Sequence, residues 1–217
     1  MTKLHAALRS AMLIASIAVA PCVHAHDSWF TPDLRMVTGN RYPVADLGVP
    51  AENVVASACS EGTCWAELTE LEVELDAKRV DVYFNEAKPP DSVRARWRDS
   101  LANGAPWRER YRKFLRAGTG MTPAGLDLEI VAANAPVHSG AAARFRLLAQ
   151  GSPVPHQPVE LVSDRSPIGI WSRTNERGEV EWTLPFRARW LVRTIVIEPG
   201  AGSKWRSRFA TLVFDAR

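Results

Sequence analysis

Trp190-Leu191-Val192-Arg193-Thr194-Ile195-Val196-Ile197 is the longest of seven short apolar stretches in the second half of the chain. Its opening residues, Trp190 to Arg193, predict a central β-strand. The other six stretches are Leu126–Val131, Ala143–Leu148, Val159–Val162, Ile168–Trp171, Val180–Leu184 and Phe209–Phe214. Gly, Pro, Asn or Ser lies between successive stretches, as expected of turns. Seven short strands in this rhythm predict an immunoglobulin-like β-sandwich over residues 123–217.

The first half of the chain also carries patterns typical of β-strands. Leu71–Leu75 alternates apolar and acidic residues, and this period of two predicts a half-buried strand. Lys78–Phe84 predicts another strand, because Val80, Val82 and Phe84 would share one face. The sequence therefore predicts a mainly β protein that consists of two β-rich halves.

A short helical insertion is predicted near residues 91–117, within an N-terminal β-rich domain of residues 26–120. Asp91 or Ser92 can cap a first helix, which Asn103-Gly104 ends. The apolar stripe of this helix is Val93, Trp97 and Leu101. A second helix is predicted to begin at Pro106, and its stripe is Trp107, Tyr111, Phe114 and Leu115.

Basic residues are concentrated on the other faces of these two predicted helices. They are Arg94, Arg96, Arg98, Arg108, Arg110, Arg112, Lys113 and Arg116. Basic residues interleaved with aromatic ones indicate either a surface for nucleic acid or anionic membrane, or a solvated face of helices packed by their aromatic stripe. The second interpretation is favoured, because export separates the protein from nucleic acid.

The first 25 residues have the pattern of a secretory signal peptide. Lys3 and Arg9 supply positive charge, and Ala11–Ala20 is an apolar run of ten residues. Small residues at Val23 and Ala25 predict cleavage after Ala25 and a periplasmic location. The apolar run is too short to span a bilayer, and no transmembrane segment is predicted after cleavage.

The net charge of the chain gives no support for a nucleic-acid-binding function. The chain has 217 residues and a formal net charge of +3. Loss of Lys3 and Arg9 with the leader leaves 25 Lys and Arg against 24 Asp and Glu, a charge of +1. A nearly neutral exported protein gives no argument for nucleic-acid binding.

Two cysteines, Cys59 and Cys64, would remain after cleavage. Outside the cytoplasm, two cysteines this close in sequence favour a disulfide, and Gly62 permits the tight turn that it needs. The alternative is a pair of soft metal ligands, but a zinc site would require two further ligands at similar spacing.

His26 is the main candidate for metal binding. If the chain is cut after Ala25, His26 presents a free α-amine and an imidazole, which together can chelate nickel or copper. Asp27 can add a carboxylate oxygen. His138 and His156 stand beside Pro or Gly in predicted loops, and either can complete a site with His26, although an exposed loop histidine is the commoner case.

Catalytic motifs are absent from the sequence, and no enzymatic activity is predicted. It has no Gly-x-Ser-x-Gly elbow, no His-Glu-x-x-His helix and no phosphate loop. An N-terminal histidine with a second histidine could form the copper site of an oxidative enzyme, but this interpretation is disfavoured. Trp171, Trp182, Trp190 and Trp205 indicate either core packing, which is favoured, or a carbohydrate-stacking row.

Several segments, taken in order, resemble the domain of unknown function 4198 family of bacterial exported proteins. The resembling segments are His26–Pro32, Arg108–Phe114, Leu128–Val131, Thr174–Gly178, Trp190–Arg193 and Trp205 through Phe209–Phe214. The sequence departs from the family pattern in two places. Ser28 replaces an aromatic residue, and Val192–Ile197 lacks a histidine that the family pattern has near the end of this strand.

This resemblance implies a periplasmic β-rich protein with an immunoglobulin-like C-terminal half and a link to nickel or cobalt uptake. The expected function is therefore that of a non-enzymatic accessory protein that captures a divalent ion (Ni, Co or Cu) through His26 and transfers it to a membrane transporter. The alternative is a metal-free binding or adhesion module that contacts a protein or a glycan through the β-sandwich.

Overall fold

The structure is a computed structural model that describes residues 27–135, 137–201 and 204–217. The strands of the first half are β1 (Asp27–Phe30), β2 (Met36–Gly39), β3 (Leu47–Gly48), β4 (Val54–Ser60), β5 (Thr63–Leu68), β6 (Leu71–Leu75) and β7 (Trp107–Ala117). Those of the second half are β8 (Glu129–Ala132), β9 (Ala142–Ala149), β10 (Ser152–Pro153), β11 (Pro158–Ser163), β12 (Ser166–Arg173), β13 (Glu179–Thr183), β14 (Arg189–Pro199) and β15 (Lys204–Asp215). The helices are α1 (Ala77–Ala87), α2 (Asp91–Ala102) and a 3₁₀ turn (Ala51–Asn53).

The mainly β fold that the sequence predicts is confirmed. Each of the seven apolar stretches of the second half lies in or overlaps a strand: β8, β9 and β11 to β15. β14, which contains Trp190 to Arg193, lies between β11 and β15, and the prediction of a central strand is therefore confirmed.

The largest sheet has eight strands and takes them from both halves of the chain. Its order is β12-β11-β14-β15-β7-β5-β4, and β6 also pairs with β7. β7 and β15 run parallel, from the pair Arg108 and Lys204 to the pair Ala117 and Val213. This sheet therefore crosses the boundary predicted between residues 120 and 123.

A four-stranded sheet covers one face of the large sheet. In it, β9 pairs with β8, β10 and β13. Side chains of both sheets form one buried cluster, in which Phe145 and Trp182 face Trp190, Leu212 and Phe214. Two sheets that share one core in this way form the β-sandwich of the C-terminal half.

The opposite face of the large sheet is covered by two different elements. At one end the helices pack on it through a cluster that includes Tyr83, Trp97, Trp107 and Trp205. At the other end lies the small sheet β1-β2-β3, whose cluster includes Trp29. No helix in the described ranges is long and apolar enough to cross a membrane.

The strand predicted over Lys78–Phe84 is wrong, because this segment forms α1. Val80, Val82 and Phe84 fit a period of two, but α1 buries residues at helical spacing and leaves Val82 57% exposed. The buried residues are Val80, Tyr83, Phe84 and Ala87. The side chain of Asp76 caps the helix by accepting from the backbone N–H of Arg79.

The second predicted helix is also wrong, because Trp107–Ala117 forms the strand β7. Its residues alternate in burial at the start, with Trp107, Glu109 and Tyr111 inside and Arg108 and Arg110 outside. The exposed arginines pair with acids on the neighbouring strands: Arg108 with Glu74, Arg110 with Glu72 and Arg112 with Glu67. Cross-strand ion pairs neutralise this basic row.

Two further predictions are confirmed. The first helix forms as α2, and it buries Val93 and Trp97 against the sheet. Cys59 and Cys64 form a disulfide across the β4–β5 hairpin, where they are directly opposite each other. The alternative in which they serve as soft metal ligands is therefore wrong.

Candidate functional site

A row of buried or mostly buried polar side chains separates the helix-facing cluster from the cluster under the small sheet. We call this row the polar seam. Its members are Asp27, Ser28, Lys113, Glu160, Arg193 and Thr211. Strand register produces part of the row, since Glu160 pairs with Arg193 and Arg193 pairs with Thr211 on adjacent strands. Side chains of paired residues lie on the same face of a sheet.

Arg193 joins two carboxylates at the centre of the polar seam. Its guanidinium donates one hydrogen bond to Asp27 and another to Glu160. The side chains of Asp27 and Glu160 are 2% and 10% exposed. Burial lowers the pKa of Arg193, but Asp27 and Glu160 outweigh this effect and raise it above its usual value. The cation is therefore permanent, and it balances two carboxylates that are largely removed from water.

Gly169 on the edge strand β12 makes room for this arrangement. A Cβ atom at position 169 would overlap the carboxylate of Glu160. Any larger residue would push Glu160 away from Arg193, so the glycine belongs to the geometry of the polar seam.

Lys113 supplies a second buried cation beside Asp27 and Ser28. Its Nζ donates to Ser28 Oγ at 3.3 Å, and it lies 5.5 Å and 5.7 Å from the ring centres of Tyr111 and Phe209. Burial lowers the pKa of Lys113 to about 8, although Asp27 opposes the shift. A serine beside such a lysine has the composition of a nucleophile and base pair. Ser28 is only 2% exposed, however, so the contact holds structure together and offers no access to a substrate.

The first described strand is fixed along its whole length. All four residues of β1 are buried. The carbonyl of Ser28 accepts from Thr211 Oγ1 at 2.6 Å, and the carbonyl of Asp27 accepts from Thr38 Oγ1 at 2.9 Å. With the ion pair to Arg193, these bonds hold the chain rigidly from Asp27 onward.

A cavity of about 200 Å³ opens beside the polar seam. We call it the seam cavity, and its lining is mainly polar: Asn40, Arg41, Tyr42, Glu86, Glu160, Val162 and Arg193. Asp27 pairs with Gly39, the residue before Asn40, so β1 begins next to this cavity. Two carboxylates, from α1 and β11, therefore face a small space near the start of β1.

The structure does not group the predicted metal ligands that it describes into one site. His26 is outside the described residues, and Asp27 is bound to Arg193. His138 is exposed in a loop, and His156 is exposed with its Nε2 atom 3.0 Å from Glu176. Among the described residues, no three His, Cys, Asp or Glu side chains are grouped as a metal site.

Sequence reasoning missed Lys113, Glu160 and Arg193 as members of one site. A signal was present, because Glu160 and Arg193 each interrupt an otherwise apolar strand in Pro158–Val162 and Trp190–Ile197. A charge inside an apolar strand predicts burial with a partner. The identity of that partner depends on strand pairing, which the sequence does not display.

A separate buried acid, Glu109, lies under the helices. Its carboxylate accepts from Trp107 Nε1 at 2.6 Å, from Tyr83 OH at 3.0 Å and from Ser207 Oγ. Burial raises the pKa of Glu109 to about 7, and the bonds from Trp107 and Tyr83 offset only part of this effect. Glu109 therefore connects α1 to two strands of the sheet.

Glu109 is expected to make stability fall as pH rises from 4.5 to about 7. In this window the folded protein keeps a proton that the unfolded chain has lost, so higher pH favours unfolding. The expected loss is about 3 kcal/mol, at about 1.4 kcal/mol per pKa unit. Urea unfolding across this range checks it. Glu109→Gln should remove this component, and parallel curves for the two proteins would contradict the assignment.

Comparison with known proteins supports part of the resemblance found in the sequence. Residues 108–198 match the family described as Domain of unknown function (DUF4198). The DUF4198 match runs from β7 into β14 and includes Lys113, Glu160 and Arg193, but it does not reach Asp27. No curated protein and no solved structure matches the chain. Nickel uptake and the periplasmic location remain predictions.

Proposed function

We propose that this protein is a periplasmic accessory protein for metal uptake. In this proposal, signal-peptide cleavage after Ala25 leaves His26 as the first residue. The α-amine and imidazole of His26 then chelate nickel, cobalt or copper, and the protein transfers the ion to a membrane transporter. The observation that carries the proposal is the rigid attachment of Asp27, to which His26 is joined by a peptide bond.

An anchored chelate is favoured over a free one for an entropic reason. A ligand on a mobile tail must be ordered when it binds metal, which weakens binding. The residue that follows His26 is already fixed by Arg193 and by backbone hydrogen bonds. Less ordering is therefore left to occur on binding.

The proposal changes the role of Asp27 from ligand to anchor. Its carboxylate is committed to Arg193, and withdrawing it would leave the guanidinium with Glu160 alone. A further oxygen ligand would come from Glu86 on α1, which lines the seam cavity. Glu160 on β11 lines it as well, but its carboxylate is held by Arg193.

The test is calorimetric titration of Ni(II), Co(II) and Cu(II) into protein purified from the periplasm, with the intact mass recorded on the same sample. The chain should start at His26 and bind one ion. His26→Ala should weaken binding by more than the roughly 10–100-fold typical of changes outside the ligand shell. His138→Ala, at an exposed histidine, is the matched control and should bind as the wild type does.

Two outcomes would contradict the metal proposal. One is a chain that starts at His26 and binds none of the three ions. The other is equal affinity in the wild type and His26→Ala, which would assign the metal to other residues.

The second candidate function, a metal-free binding module, is favoured by a different observation. An open groove of about 620 Å³ lies beside Trp65, between the β4–β5 hairpin and the segment that follows β7. It lies where the two halves of the chain meet, whereas the sequence suggested the C-terminal sandwich. Ligand binding that persists in the presence of a chelator would distinguish this function from metal capture.

A further inference from the structure

The groove beside Trp65 has the dimensions and the walls of a ligand site. We call it the hairpin groove. Its volume of about 620 Å³ falls within the range of roughly 300–1,000 Å³ typical of small-molecule sites. The side chains that matter for recognition are Ser60, Thr63, Trp65, Thr119 and Thr122.

The hairpin wall of the groove is rigid. The Cys59–Cys64 disulfide links the two strands at the tip of the hairpin. Gly118 and Gly120 lie so close to it that a Cβ on either would overlap the Gly62 carbonyl or the Thr63 side chain. This close contact fixes the start of the segment after β7 against the hairpin.

The opposite wall is held by a buried ion pair. Glu129 accepts from Arg116 Nη1 at 2.6 Å and from the backbone N–H groups of Ala124 and Gly125 at 2.9 and 3.0 Å. Arg116 Nη2 donates to the Thr122 carbonyl at 3.0 Å. The groove therefore has its shape before any ligand arrives, which reduces the entropic cost of binding.

The chemistry of the lining excludes two classes of ligand. The charge of Arg116 is neutralised by Glu129, and Glu61 adds negative charge at the hairpin tip, so an anionic ligand gains little. A wholly apolar ligand would remove water from the hydroxyls that line the groove without replacing those hydrogen bonds. These hydroxyls belong to Ser60, Thr63, Thr119 and Thr122.

The same lining suits a neutral ligand that is apolar on one face and rich in hydroxyls at its edge. Trp65 is half-buried, packs against the sandwich core and also lines the groove, so it offers an indole surface. Threonine and serine hydroxyls both donate and accept.

We propose that the hairpin groove binds a neutral sugar ring of a glycan. The ring stacks on Trp65, and its hydroxyls exchange hydrogen bonds with the serine and threonines of the walls. This inference rests on the second candidate function and is independent of His26 and of any metal.

The test is calorimetric titration of maltotriose, cellotriose and N,N′,N″-triacetylchitotriose into the full exported protein with EDTA present. At least one of these neutral oligosaccharides should bind. Trp65→Ala should weaken binding at least about tenfold, the loss expected for one ring-stacking contact. Trp171→Ala, at a tryptophan 37% exposed on β12, is the matched control and should leave affinity unchanged.

A hydroxyl variant keeps the proposal testable if Trp65→Ala proves unstable. Thr122→Val preserves shape and removes one hydroxyl, and it should also reduce affinity. The proposal is overturned if none of the three oligosaccharides binds at millimolar concentration, or if Trp171→Ala weakens binding as much as Trp65→Ala. Trp65→Ala should bind metal as the wild type does. A failure of the sugar-binding proposal is therefore distinguishable from a failure of the metal proposal.

Discussion

Replacement of Arg193 by methionine is expected to lower the free energy of unfolding by about 3–5 kcal/mol. Arg193 is the guanidinium that joins Asp27 to Glu160 in the polar seam. Its removal leaves two carboxylates buried without that partner, and desolvated charge is costly. Methionine keeps most of the side-chain volume, so the loss reports charge and hydrogen bonding more than packing. Urea or guanidinium unfolding measures it.

The matched control for this prediction is Arg144→Met. Arg144 also pairs with a glutamate across strands, but it and Glu181 are each 54% exposed. Exposed pairs contribute about 0–1 kcal/mol, so the control should lose no more than that. Equal losses in the two variants would show that the polar seam is no more costly to break than a surface pair.

The Arg193 variant also connects stability to the proposed function. Without its ion pair, Asp27 no longer holds the start of β1 in place. If His26 binds metal as an anchored chelate, Arg193→Met should weaken metal binding although Arg193 is not a ligand. The titration must be made where the variant remains folded, as judged by circular dichroism.

Trp107→Ala is expected to cost about 3–5 kcal/mol, in the range of large aromatic deletions from cores. Trp107 is fully buried and stacks on Trp205 with ring centres 4.4 Å apart. The rings of Phe84 and Trp97 meet it edge-on at 5.3 Å and 5.5 Å. Its removal opens a cavity at the point where both helices contact the sheet. Denaturant unfolding measures the loss.

One further variant tests the hydrogen bond that Trp107 makes, and another is the control for burial. Trp107→Phe keeps an aromatic ring but removes the N–H that donates a hydrogen bond to Glu109. Since this bond lowers the pKa of Glu109, its loss should raise that pKa further. Trp171→Ala deletes a tryptophan that is 37% exposed and should cost far less than Trp107→Ala. Similar losses for Trp107→Ala and Trp171→Ala would contradict the assignment of Trp107 to the centre of this core.

The sequence pattern predicted the strands correctly where short apolar runs alternate with turn residues. The seven apolar stretches of the second half lie in or overlap strands, because short apolar runs between turn residues have few other stable forms. The Cys59–Cys64 disulfide was also predictable, since a spacing of five residues suits a hairpin. Local pattern failed where one set of residues fitted two periods, as at Lys78–Phe84 and Trp107–Ala117. In these two segments, whether a helix or a strand formed depended on the surface against which the segment packs.

The sequence by itself determined a mainly β chain, its C-terminal strands and the hairpin disulfide. Only the tertiary structure decided that β7 runs parallel to β15, and that Asp27 meets Arg193 across 166 residues. The physical reason is that the periodicity of a sequence indicates which face of a strand is buried but does not indicate which strand pairs with it. Neighbours are selected by long-range packing, so the polar seam and the hairpin groove exist only in the folded protein.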